Sequence, residues 1–192
     1  MRLMRFVLAV APSVLVAASL SAQSDLRAAP SGRGTSEVVV FKPVPEGQPE
    51  GPSYRIRLDY GQPHLRGRTL HTGDLVPYDK PWRTGANAAT TLTTEVDLTL
   101  GGAAIAKGTY VLFTIPSATG WKLVIQKDAG QGGEYKQEND VARVDLKVRA
   151  LTAPIESLSM WLIPAAGQGA PRGELRLAWG LTEVSTEWAV KQ

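Results

Sequence analysis

Cysteine is absent from this 192-residue chain. That excludes disulfides, iron–sulfur clusters, thiolate zinc sites, cysteine nucleophiles and lipid attachment through cysteine. Imidazole chemistry is limited to two residues, His64 and His71. Charge of one sign is not in marked excess, with 21 Lys+Arg against 18 Asp+Glu. Setting aside Arg2 and Arg5, which belong to the leader described below, leaves 19 against 18, a net of +1. This balance argues against a nucleic-acid partner, because gripping that backbone calls for a strong basic excess. Also missing are a GxSxG elbow, HExxH, a P-loop and GxGxxG. After residue 20 there is no second long apolar run, and no segment shows a convincing helical period.

What is present begins with an address. Arg2 and Arg5 precede an apolar run at 6–20 that is broken only by Pro12, Ser13 and Ser19, and Ser21, Ala22, Gln23 and Ser24 follow. This is the three-part pattern of a secretory signal peptide cleaved after Ala22. The run falls short of the roughly 20 residues needed to span a bilayer. The expected organisation is a signal peptide over 1–22, a flexible spacer over 23–36 and a single domain over 37–192. The mature protein is expected outside the cytoplasm, periplasmic or secreted, with no membrane span. Without disulfides it must be held together by core packing, which about 170 residues permit.

From there the pattern is β. A strand is expected at 37–42. The stretch 43–52 is a loop, because six of its ten residues are Pro or Gly. Tyr54, Ile56, Leu58 and Tyr60 fall on one face of the next strand, and Leu92, Val96, Leu98 and Leu100 on one face of a long strand over 88–100. Gly101-Gly102 marks a tight turn. The nearly continuous apolar run 109–115 reads as a strand buried on both faces. Alternation continues through 121–126, and then through 142–148, where Arg143, Asp145, Lys147 and Arg149 form a solvated face. Further strands are expected at 155–163, 174–179 and 183–190. Trp121, Trp161, Trp179 and Trp188 occupy strand positions and read as core or rim. About nine to ten short strands make an all-β fold, an antiparallel β-sandwich or flattened barrel.

One segment breaks the pattern. Residues 60–87 read YGQPHLRGRTLHTGDLVPYDKPWRTGAN. The segment is too long for an ordinary connection and too rich in Leu65, Leu70, Leu75, Val76 and Trp82 for disorder, so it is expected to pack as an ordered cover. It is locally basic. Arg83 offers a planar fork of donors, Trp82 and Tyr78 flat apolar faces, and Asn87 a donor–acceptor pair. With Arg66, Arg68 and Lys80 these are the candidate ligand-binding residues. The competing reading is structural, with Arg83 bonding carbonyls to lock a corner and Asn87 satisfying a turn. A site of His64, His71 and Asp74 for a metal is weakly indicated, because the spacing has no fixed frame. No metal and no cofactor are expected.

The string GRTLHTGDLVPYDKPWRTGANAATTLTT, followed by KGTYVLFTIP, ARVDLKV and GELRLAWG, resembles an uncharacterised bacterial family known as domain of unknown function 2911. The resemblance runs from about Tyr54 to Trp188 and is most specific at WRTGAN, residues 82–87. It implies an exported, β-rich protein and carries no activity or ligand. Asp79 stands where that family usually has Gly, and Ala88 where it often has Glu.

Three functions follow as expectations. The first is a non-enzymatic binder of a polar or anionic ligand, such as an oligosaccharide or cell-envelope component, acting through the basic and aromatic loop. The second is a hydrolase using carboxylates such as Asp74, Asp79 or Glu95, which must lie about 5–10 Å apart in pairs. The third is a structural or partner-binding envelope module, which calls for an exposed apolar patch or sheet edge.

Overall fold

The structure, a computed structural model, describes residues 29–71, 75–127 and 134–191. The expected signal peptide at 1–22 and Asp74 lie outside the described residues. The described chain forms nine strands and one 3₁₀ turn, with no α-helix. They are β1 (Gly32–Phe41), β2 (Ser53–Gln62), β3 (Thr91–Thr94), β4 (Leu98–Leu100), β5 (Ala103–Ile105), β6 (Gly108–Pro116), β7 (Trp121–Lys127), β8 (Asp140–Pro164) and β9 (Arg172–Val190). They make one antiparallel sheet in the order β1-β2-β3-β6-β7-β8-β9-β4-β5.

The sheet wraps onto itself as a flattened, unclosed barrel whose inner face forms one core. Ile56, Leu58, Leu92, Leu112, Leu123, Leu158, Trp179 and Trp188 are all buried there. Wrapping is possible because β8 and β9 bend. Their register shifts between Ala150 and Ile155 and again between Ile155 and Ser159. Gly180 takes a left-handed φ of 58° on β9. The seam where β2 and β1 approach the second half of β8 is stitched by single bonds. Leu158 N donates to Pro63 O at 2.9 Å, Met160 N to the Tyr60 hydroxyl at 3.2 Å and Leu162 N to Ser36 Oγ at 2.9 Å.

Expectation and structure differ at four places. The first strand begins at Gly32 rather than residue 37, so the end of the expected spacer is β structure. Glycine at 34 serves packing, since a Cβ there would come within 2.5 Å of the Tyr60 ring. Arg33 also bridges to Asp59 across the pair. The expected strand over 88–100 divides into β3 and β4, which sit far apart in the sheet order. Thr94 Oγ1 donates to Val96 O at 2.6 Å and accepts from Val96 N at 3.3 Å, so a local side-chain turn displaces the ladder. The Gly101-Gly102 turn has φ of 56° and 84° and returns the chain into the unforeseen β5. Finally, the segments 142–148 and 155–163 are one bent strand, β8, as 174–179 and 183–190 are one strand, β9.

β6 is buried on both faces, as its apolar run predicts. Its outer face carries Val111 and Phe113, which with Val124 make a second small cluster. Tyr135 covers it edge-on to Phe113 at 5.4 Å. Gln126 Nε2, donating to Asp140 Oδ1 at 2.6 Å, holds the start of β8 beside it.

Candidate functional site

The described parts of the 60–87 segment pack against the core as a cover. Leu65, Leu70 and Val76 enter the core, and Trp82 lies half-buried against it. Trp82 stacks on Trp179 with ring centroids 5.8 Å apart, and Trp179 Nε1 donates to Glu156 O at 3.1 Å. The corner 82–87 is a wedge. Trp82 exchanges two backbone bonds with Thr114 at 2.8 and 2.9 Å. Thr84 is fully buried and donates through Oγ1 to Trp82 O, while Thr90 Oγ1 donates to Thr84 O at 2.9 Å. Gly61 must be glycine, because a Cβ there would lie 1.7 Å from Ala86 O.

The backbone of this cover is conformationally costly. Arg66, His71, Asp79, Thr84 and Asn87, with φ between 50° and 63°, are the non-glycine residues at positive φ among the described residues. A β-branched residue such as Thr84 is a genuine outlier there. Strain of this kind persists only where surrounding contacts over-determine it, and it clusters at functional sites. At Asp79 the φ of 58° is one that glycine adopts without strain.

The candidate residues divide into two groups. Arg68 is structural, with Nε donating to Leu65 O at 2.9 Å and Nη2 to His64 O at 2.7 Å. Trp82 serves the core. Asn87 closes the corner by accepting from Arg83 Nη1 on its carbonyl at 3.0 Å. All but Trp82 are exposed, and Tyr78, Lys80, Arg83 and Arg66 make fewer bonds to the rest of the cover than Arg68 does. Arg66 reaches Pro30 O at 3.2 Å. None of the four cations Arg66, Arg68, Lys80 and Arg83 has a carboxylate ion-pair partner among the described residues.

Tyr78 stacks on His71 with centroids 4.2 Å apart and 13° between planes, and His71 meets Trp121 edge-on at 5.6 Å. Trp121 and Asp79 line an open cleft of about 490 Å³ together with Ser117, Thr119, Lys122 and Asp145. Asp79 N, donating to Pro116 O at 2.7 Å, fixes this rim. The cleft therefore brings hydroxyls, the Asp79 carboxylate and the Lys122–Asp145 pair together, and Tyr78 adjoins it in sequence through Asp79. Sequence reasoning named Tyr78 but missed the cleft, because residues 117–122 and 145 reach it only through strand pairing.

The two histidines are engaged separately, His64 Nδ1 with Ser157 Oγ at 2.7 Å and His71 Nδ1 with Val76 O at 2.9 Å. No group of three metal-ligating residues occurs among the described residues. Asp79 and Glu95 are not brought together. Asp79 sits at the Pro116 end of β6, whereas Glu95 follows Thr94, which pairs with Gly108 at the other end. Eight strand steps separate those ends by roughly 26 Å. Glu95 Oε2 instead accepts from Arg55 N at 2.7 Å.

The chain was also compared with known proteins. Residues 47–187 match the family model described as protein of unknown function (DUF2911). No curated protein and no solved structure matches. No helix among the described residues is long and apolar enough to cross a membrane.

Proposed function

The chain belongs to the DUF2911 family, and from that premise we propose that it is an exported, non-catalytic binder of a polar, acidic ligand, with an acidic oligosaccharide as the class that fits best. The observation that carries this reading is the set of exposed cations on the cover that no described carboxylate neutralises. Lys80 and Arg83 supply charge for an acid group. Tyr78 supplies a flat face for a sugar ring, and the hydroxyl- and carboxylate-lined cleft beside it suits sugar hydroxyls. The described part of the cover is anchored by Leu65, Leu70, Val76 and the Trp82–Thr114 bonds, which lowers the ordering cost of binding.

The test is calorimetric titration of the purified protein with oligogalacturonate at low salt. Binding should weaken steeply as salt rises, and Lys80→Gln/Arg83→Gln should weaken it roughly tenfold, the equivalent of about 1.4 kcal/mol. Absence of binding by the wild-type protein, or equal binding by the double variant, contradicts the proposal.

A partner-binding envelope module is favoured by one observation. On the edge strand β1 and just beyond it, Val39, Phe41 and Val44 are exposed, Phe41 to 68%. An exposed edge of this kind is a template for pairing with a second copy. In that case sedimentation shows a dimer that Phe41→Ser dissociates. A monomer at high concentration removes this reading.

A further inference from the structure

Strand β1 is one edge of the sheet, and its pairing shows which backbone groups it leaves free. Just past the pair Phe41–Ser53, Lys42 N donates to Pro52 O at 3.1 Å. The even residues of β1 therefore turn their N–H and C=O towards β2, because bonded and non-bonded pairs alternate in an antiparallel ladder. The far side of β2 agrees. Arg55 lies across from Val39, and its carbonyl accepts from Glu95 N at 3.0 Å on the β3 side. Thr35, Glu37, Val39 and Phe41 thus turn their N–H and C=O to the open edge. No hydrogen bond reaches those groups among the described residues, since the seam to β8 uses the side chains of Ser36 and Tyr60. All four residues are exposed. Proteins blunt long edges with charge, proline or a bulge, and the run Val38-Val39-Val40-Phe41 has none of these. The opposite edge, β5, is only three residues long.

Open space adjoins this edge on both faces. On the inner side a groove of about 440 Å³ runs between residues 38–41 and the turn joining β8 to β9, with Pro164, Ala165, Pro171 and Arg172 in its wall. That turn is closed by Ala165 N donating to Arg172 O at 2.8 Å. On the outer side Val39, Phe41 and Val44 line a hollow of about 490 Å³. Arg172 is exposed and makes no ion pair among the described residues, its Nη1 donating to Gln168 O at 3.0 Å. A second copy of the chain offers a matching edge but nothing for the groove. Its own Val40 is buried and its own Val38 packs on its core. A free strand has inward side chains to spare.

We infer that the open edge of β1 is a peptide-binding slot, separate from the cover, for an extended segment of a partner protein. The segment adds to the sheet as an antiparallel strand, as every other pair in the sheet is. Its backbone bonds Thr35, Glu37, Val39 and Phe41. Its alternate apolar side chains fill the groove, and an acidic residue meets Arg172.

Amide hydrogen exchange, read residue by residue by nuclear magnetic resonance on the purified chain, tests this with the peptide acetyl-Asp-Val-Thr-Val-Thr-Val-Asp-amide. In the free protein the amides of Val39 and Phe41 should exchange fast and those of Val38 and Val40 slowly. The peptide should slow the first pair by roughly tenfold or more. With its valines turned into the groove, the peptide's threonine N–H groups face β1. N-methylation of the threonines should therefore abolish binding, and N-methylation of the valines should not. Val39→Pro removes one edge N–H without touching the β2 ladder and should also abolish binding. Arg172→Gln should weaken binding roughly tenfold, and should not affect a peptide with asparagine in place of aspartate. Absence of binding up to about 1 mM peptide, or equal binding after threonine methylation, overturns the slot, and this holds even if Val39→Pro does not fold. Val39 and Phe41 already protected in the free protein would mean that the chain or a second copy covers the edge, which also overturns it. Equal weakening of the asparagine peptide by Arg172→Gln overturns the acidic assignment. Lys80→Gln/Arg83→Gln should bind the peptide as the wild type does, and a loss there overturns its independence from the cover.

Discussion

The outer face of β7, β8 and β9 and the cover over 60–87 treat charge in opposite ways. On the outer face most cations are matched across or along the strands. Lys122 meets Asp145, Arg143 meets Asp140, Lys147 meets Glu187, and Arg149 meets Glu183 through two bonds of 2.8 Å. The described part of that face has no residue other than glycine at positive φ. Among the described residues the cover holds four cations without a carboxylate partner, on a backbone with five left-handed non-glycine residues. Its stability comes from below, through Leu65, Leu70, Val76 and the buried Thr84–Thr114 contact. A surface that satisfies its own charges has little left to offer a ligand, whereas one fixed by its buried side keeps its exposed side available.

The comparison is broken most severely by removing the cover's seat. Gly61→Ala pushes a Cβ into Ala86 O and should cost about 3 kcal/mol or more. Differential scanning calorimetry would read this as a melting temperature lower by roughly 6–12 °C. A neutral result would mean that the 82–87 corner does not rest on β2.

Next in size is the matched face under acid. Bonding to Arg149, with help from Arg176, holds the Glu183 carboxyl below its ordinary value, and bonding to Lys147 does the same for Glu187. A depressed folded-state value means that the stabilisation is present above the unfolded carboxylate range and is lost as pH falls through the folded value. Glu183→Gln should therefore cost about 0.5–1 kcal/mol near neutrality, given the exposed Arg149 partner. The difference from wild type should shrink as the pH is lowered through and below that range. A constant difference across the titration would show that Glu183 acts through packing.

Smaller still is relief of backbone strain in the cover. Asp79→Gly removes a left-handed aspartate and should raise stability by about 0.5 kcal/mol, a gain partly offset by unfolded-chain entropy. A loss would mean that the Asp79 carboxylate is holding the rim. The expected export is checked separately, because protein recovered from the periplasm or medium of its host should begin at Gln23 by N-terminal sequencing.

Much of the fold was legible because the alternation of Ile56 and Leu58, of Leu98 and Leu100, and of Val144 and Leu146 matches their burial. The Gly101-Gly102 turn was legible for the same local reason. The break at 95–97 was not, since polar–apolar alternation runs straight through it and only the Thr94 hydroxyl marks the bend. Strand β1 was read late because glycine and serine suggest a spacer, whereas here Gly34 makes room for Tyr60 and Ser36 accepts from Leu162 N. The cover was recognisable from its length and composition. The division of labour within it was not, because Arg68 and Arg83 look alike in sequence while one braces a turn and the other makes a single exposed bond. The groove under the open edge of β1 left no local signal, since its walls are assembled from β1 and the turn between β8 and β9.

The claim that the cover's cations serve a ligand rather than the fold meets its most direct test in Lys80→Gln/Arg83→Gln. Its melting temperature and its affinity for oligogalacturonate should be measured on the same preparation. The account predicts a stability change below about 1 kcal/mol together with roughly tenfold weaker binding. A melting temperature lower by many degrees, or binding left unchanged, would contradict it.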